Sequence, residues 1–90
     1  YFNESMELSQ NSPNPFTSNT NIKVQIVKPC YVTLKIYNTK GEALVTLEDS
    51  WLHEGEYNYT LTADRFVAGL YIIVLKNDKI TLSTKMLVYH

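Results

Sequence analysis

Thr20-Asn21-Ile22-Lys23-Val24-Gln25-Ile26-Val27 and, past Lys28-Pro29-Cys30, Tyr31-Val32-Thr33-Leu34-Lys35-Ile36-Tyr37 carry the decisive pattern. Ile22, Val24 and Ile26 point one way, and Lys23 and Gln25 the other. Val32, Leu34 and Ile36 repeat the phase against Thr33 and Lys35. A period of two is that of a strand with one buried and one solvated face. Asn38-Thr39-Lys40-Gly41 then reads as a hairpin turn, its glycine supplying the permissive backbone such turns use.

Working outward, the same period recurs with turn residues every eight to twelve positions. Met6-Glu7-Leu8 predicts a short first strand. Asn11-Ser12-Pro13-Asn14-Pro15 predicts a rigid, unpaired path, since proline fixes its backbone and lacks an N–H. Phe16 at its end is expected to plug one end of the core. A fourth strand is expected over Ala43–Asp49 with Val45 and Leu47 inward, followed by a loop at Ser50–Gly55 that holds Trp51. Glu56–Thr62 predicts a fifth, with Tyr57, Tyr59 and Leu61 on one face. Ala63–Ala68 reads as one helical turn or corner between sheets. Leu70-Tyr71-Ile72-Ile73-Val74-Leu75, opened by Gly69, is apolar without alternation and predicts a strand covered on both faces. Lys76-Asn77-Asp78-Lys79 predicts a tight turn with left-handed backbone at Asn or Asp. In the last strand, Ile80 to Tyr89, the residues Ile80, Leu82, Met86 and Val88 face inward. The sum is an all-β, seven-stranded antiparallel immunoglobulin-like β-sandwich.

Ninety residues allow one domain over 1–90, with residues 1–5 read as the remnant of a linker. A charged fraction of 19% with net charge −1 excludes a disordered chain and gives no basic footprint for nucleic acid. No apolar run reaches the ~20 residues of a membrane helix, so no membrane insertion is expected. Tyr1-Phe2-Asn3-Glu4 lacks the layout of an export signal, which would have to lie elsewhere.

Catalytic constellations are missing from the reading. Cys30 is a single cysteine whose only candidate bases are His53 and His90, and a half-buried structural thiol accounts for it. Glu42, Glu48, Asp49, Glu54, Glu56 and Asp64 make an acidic stretch around His53, but their spacing matches no calcium loop and a solvated edge explains them. The glycines are isolated, so there is no phosphate loop. No metal ligand set and no cofactor follow. Trp51 could stack a sugar. Asn3-Glu4-Ser5 and Asn58-Tyr59-Thr60 match the glycosylation acceptor pattern.

Leu8-Ser9-Gln10-Asn11-Ser12-Pro13-Asn14-Pro15-Phe16 is similar to the opening of the C-terminal sorting domains, type A, of the type IX (Por) secretion system. Thr17, Thr20 and Ile22-Lys23-Val24 follow in the family's order. Val32–Asn38, Gly41-Glu42, Gly55 with Tyr57, Ala68-Gly69-Leu70-Tyr71 and Lys85-Met86-Leu87-Val88 resemble its later segments. Ser12 stands where an aromatic is common, and Tyr89-His90 where a basic final residue is usual. The resemblance implies a sorting signal and not an enzyme. It implies export through the periplasm to the cell surface or medium, with the outer-membrane translocon and shuttle components as partners. It also implies a sortase-like protease that cuts the linker upstream. The motif residues are Pro13, Asn14, Pro15, Phe16, Gly69, Leu70, Tyr71, Lys85, Met86, Leu87 and Val88. The phase of the last strand leaves Lys85, Leu87 and Tyr89 as an exposed docking strip, read by side chains or by strand addition. The alternative is a passive immunoglobulin-like or carbohydrate-binding accessory module of a secreted enzyme, with Trp51 and the acidic loop as its site.

Overall fold

The computed structural model of the chain describes residues 5–89. Seven strands form: β1 (Met6–Leu8), β2 (Asn19–Ile26), β3 (Cys30–Asn38), β4 (Ala43–Leu52), β5 (Gly55–Thr62), β6 (Gly69–Lys76) and β7 (Thr81–Val88). They make two antiparallel sheets, ordered β1-β2-β5 and β4-β3-β6-β7. A 3₁₀ turn at Ala63–Arg65 carries the chain from one sheet to the other, as expected of that corner. The core is the set of inward faces: Ile22, Val24 and Ile26 against Val32, Leu34 and Ile36, with Ile73, Leu75, Met86 and Val88.

The order differs in one strand from a constant-type immunoglobulin domain, where the fourth strand lies beside the fifth. Here β4 pairs with β3. The Asn38 hairpin accounts for that, because a turn this short leaves β4 no neighbour except β3. Asn38 Oδ1 accepts the amides of Lys40 and Glu42 at 2.9 and 3.0 Å, and Gly41 takes a positive φ of 86°.

Four expectations are corrected. β4 runs on to Leu52, so Trp51 lies on a strand, paired with Tyr31, and the loop shrinks to His53-Glu54. An edge strand needs little apolar content, and Glu48-Asp49-Ser50 concealed it. Register shifts at Leu34/Lys35 and Ile36/Tyr37 leave Leu47 and Leu44 without opposite partners; Leu47 packs only at the margin of the core. β6 is not covered on both faces: Tyr71, Ile73 and Leu75 are buried, while Leu70 is exposed and Ile72 and Val74 are half-buried. Nor does the β6–β7 turn use left-handed backbone, since no non-glycine residue among those described has a positive φ. Asn77 makes the turn with its side chain instead, Oδ1 accepting the amides of Lys79 and Ile80 at 2.8 Å each.

Candidate functional site

The segment Gln10–Phe16 straps one sheet to the other. Its ends are paired, contrary to a wholly unpaired path: Ser12 bridges Asn21 of β2, and Phe16 bridges Val88 of β7. Between them the chain is not extended but bends at Pro13-Asn14-Pro15, and the Ser12-Pro13 and Asn14-Pro15 peptide bonds are cis. The Asn11 side chain is buried and donates from Nδ2 to Thr20 Oγ1 at 3.0 Å and to the Pro13 carbonyl at 3.2 Å. The Thr20 hydroxyl donates to the same carbonyl at 2.7 Å. Gln10 Nε2 donates to Asn11 Oδ1 at 2.7 Å, and its Oε1 accepts the Thr84 hydroxyl at 2.8 Å. Among the described residues no buried side-chain nitrogen or oxygen is left without a partner. A satisfied buried network of this kind fixes one geometry, because breaking any member strands the others.

The strap ends on β7. Asn14 Oδ1 accepts the Leu87 amide at 2.9 Å and Nδ2 donates to the Lys85 carbonyl at 3.3 Å. The Phe16 amide donates to the Leu87 carbonyl at 3.1 Å, and the Phe16 carbonyl accepts the Tyr89 amide at 3.0 Å. Gln10 Nε2 reaches the Lys85 carbonyl at 2.6 Å. These bonds occupy the outward edge of β7 from the Lys85 carbonyl to the Tyr89 amide, so strand addition is closed there. The Phe16 ring, 2% exposed, fills the core end it was expected to plug.

On the other side of β7 lies the corner into β6. Tyr71 is buried and its hydroxyl donates back to the Val67 carbonyl, four residues upstream. Its ring meets Phe66 edge-on at 5.1 Å and 61°. This is the tyrosine corner of β-sandwiches, at the junction of the fifth and sixth strands. Gly69 holds φ at +153°, and no heavy atom stands within 4 Å of where a Cβ would sit. Conformation, and not a clash, requires glycine. In register, Gly69 faces Val88, Leu70 faces Leu87 and Tyr71 faces Met86.

Three segments far apart in sequence therefore meet on the last rungs of β7. Pro13–Phe16 holds one edge and Gly69–Tyr71 holds the other, while Met86 and Val88 are buried beneath. Lys85 and Tyr89 are exposed and Leu87 is half-buried beside Leu70, which is 39% exposed. Gln10, Asn11, Thr20 and Thr84 were not foreseen as part of this site. For the two threonines a signal was available: Thr20 and Thr84 occupy inward-phase positions otherwise filled by Ile, Val, Leu and Met.

The other candidates disperse. Glu48 turns inward, where its Oε1 accepts the Tyr59 hydroxyl at 2.7 Å, and Asp49 turns outward to accept the Tyr31 hydroxyl at 2.5 Å. Burial, then the Glu48 hydrogen bond, raises the Tyr59 phenol well above its ordinary value. The Asp49 hydrogen bond raises the Tyr31 phenol as well. Among the described residues no three of His, Cys, Asp and Glu converge as metal ligands would. Cys30 is half-buried, its sulfur 3.9 Å from Asn77 Nδ2. Asn58 is exposed on β5 and accepts from Asn21 Nδ2 at 3.2 Å; the other acceptor pattern, at Asn3-Glu4-Ser5, lies mostly outside the described residues, as does His90. Ser5, assigned to the linker remnant, is tied to the fold by its carbonyl, which accepts the amides of Val27 and Lys28 at 2.9 and 3.2 Å.

A seven-stranded antiparallel sandwich whose last strand is clamped from both edges is the class of module this fold defines. The family model described as the secretion system C-terminal sorting domain, Por_Secre_tail, matches residues 12–89, and the chain belongs to that family. It is a family of sorting signals for type IX secretion, not of enzymes, and its role implies export across the outer membrane and contact with the secretion machinery. No curated protein and no solved structure matches the chain.

Proposed function

We propose that this domain is the address that directs a cargo protein, joined upstream, from the periplasm through the outer-membrane translocon. Shuttle components receive it, and a sortase-like protease then cuts the upstream linker, leaving the cargo at the cell surface or in the medium. The address is the C-terminal end of β7, with Lys85, Leu87 and Tyr89 as the side chains presented. The observation that carries this reading is the double clamp. Asn14 and Phe16 on one edge and Gly69 to Tyr71 on the other hold that strand end in one conformation with its outer side chains displayed. Because the edge hydrogen bonds are occupied, recognition runs through side chains.

The test fuses a signal peptide and a folded reporter ahead of the domain in a host that has the secretion system. Lys85→Glu with Tyr89→Ser removes two exposed side chains and should leave the melting temperature near the parent's while trapping the reporter in the periplasm. Normal export of that variant refutes the reading.

One observation favours a second reading, the carbohydrate-binding accessory module. Trp51 and Tyr31 are register partners on the outer face, 57% and 52% exposed. That reading requires Trp51→Ala to abolish retention on an immobilised polysaccharide, whereas the sorting role requires the same variant to be exported normally.

A further inference from the structure

The outer face of the four-stranded sheet is ordered in rungs. From β7 through β6 and β3 to β4 they run Lys85–Ile72–Tyr37–Ala43, then Ser83–Val74–Lys35–Thr46, then Thr81–Lys76–Thr33–Asp49; Leu87–Leu70 lies beyond the first. Leu87, Leu70, Ile72, Val74 and Tyr37 form one continuous apolar block, and Lys85, Lys35 and Lys76 stand around it. The three strands β3, β6 and β7 place no carboxylate on this face. Two carboxylates border it: Asp49 of β4, which accepts the Tyr31 hydroxyl, and Asp78 of the β6–β7 turn, which lines one depression with Lys35 and Lys76; among the described residues neither forms a salt bridge with a lysine.

The other sheet is built differently. On its outer face Lys23 and Glu56 pair at 3.6 Å, the single salt bridge among the described residues. So the polar face carries its own ion pair, and the apolar face keeps three lysines that have no carboxylate within 4 Å among the described residues. Protection against edge-to-edge aggregation explains a lysine on an edge strand such as β7. It does not explain Lys35 and Lys76, which lie on the two central strands.

We infer that this whole face, not the end of β7 alone, is the docking surface, and that its partner is a protein surface bearing carboxylates around projecting apolar side chains. The inference rests on the sorting role proposed above and extends its footprint across β6 and β3. Charge complementarity sets the sign of the partner: three unpaired ammonium groups favour an acidic rim. Relief of the face sets its class. Ile72 and Val74 are half-buried and line a shallow depression with Tyr37, so they gain contact only against a solid surface shaped to meet them. Insertion into a lipid interface buries an apolar face by ~5–10 Å, which side chains recessed in a sheet do not offer.

The test uses the same reporter fusion with Lys35→Glu and Lys76→Glu together, both remote from the terminal strip. Export should fall by about tenfold or more, since each exchange sets like charge against the acidic rim. Lys35→Arg with Lys76→Arg should restore it, and Lys23→Glu on the other sheet should leave it unchanged. The melting temperature of each purified variant separates docking from folding, and Val74→Ser serves as an uncharged second probe of the face. Normal export of the double Glu variant and of Val74→Ser overturns the inference. If export of those two is normal while the Lys85 and Tyr89 variant is trapped, the sorting reading stands and only the wider footprint fails. Co-sedimentation of the purified chain with phosphatidylglycerol vesicles should show no binding; lysine-dependent binding would overturn the assignment to a protein partner.

Discussion

Asn14 Oδ1 accepts the backbone amide of Leu87 at 2.9 Å, across 73 residues of sequence. A side chain thus stands where a neighbouring strand would otherwise pair. An edge strand left open is a template for pairing with other chains, and proteins blunt such edges with short elements, proline or covering loops. Here a proline-bracketed asparagine does it, and the backbone of Phe16 continues the seal toward Tyr89.

Removing that side chain should loosen β7 locally. Asn14→Ala loses an exposed hydrogen bond and should cost about 0.5–1.5 kcal/mol. Amide exchange should quicken at Leu87 and stay unchanged at Ile73, in the centre of the core. Asn14→Asp keeps the acceptor and should retain most of the Leu87 protection, which distinguishes loss of this bond from general loosening.

Phe16 contributes mainly by burial. Phe16→Ala should lower stability by about 3–5 kcal/mol, read as a drop in denaturant midpoint at unchanged slope. An unchanged midpoint would mean that the ring closes nothing.

The tyrosine corner makes a separable contribution. Tyr71→Phe keeps the ring against Phe66 and removes only the hydroxyl bonded to the Val67 carbonyl. A loss of about 0.5–1.5 kcal/mol is expected, and Tyr71→Leu, which also loses the edge-on contact, should cost more.

Much of this fold was legible because five strands bury one face and expose the other. Ile22-Val24-Ile26 and Val32-Leu34-Ile36 could be placed residue by residue, and Phe16 was recognisable as a core plug. What escaped reading was of two kinds. β4 beyond Asp49 and the outer face of β6 mislead because apolarity there does not track burial: Ser50 is part of a strand, and Leu70 is apolar yet exposed. The strap escaped because its bonds join Asn14 to Leu87 and Gln10 to Lys85, and contacts between such distant residues leave no periodicity behind. Motif likeness marked these segments one by one, and the structure brings them together: they close the two edges of one strand end.

Gly69 offers a test of conformation against contact. A side chain added there meets nothing within 4 Å, yet φ lies at +153°. Gly69→Ala should therefore destabilise by about 1–3 kcal/mol through backbone strain alone. Gly69→Val should cost no more than a further increment from its β-branch. If Ala proves neutral and only Val destabilises, contact rather than backbone angle is the cause.

Tyr59 should make the domain sensitive to strongly alkaline pH. Burial is the main reason its phenol is raised, and the hydrogen bond to Glu48 adds to it, both favouring the neutral form in the folded state. A group raised on folding contributes stability that is full below its unfolded value, about 10 for tyrosine, and is lost as pH climbs above it. Between about pH 9 and pH 12 the melting temperature of the parent should fall more than that of Tyr59→Phe, which has no proton to lose. Tyr59→Phe should start lower, because it lacks the bond to Glu48, so the two curves converge as pH rises. Glu48→Gln separates the causes: burial persists in that variant, so its alkaline slope should be reduced but not abolished. Parallel curves for the parent and Tyr59→Phe would show that the Tyr59 proton makes no contribution to holding the sheets together.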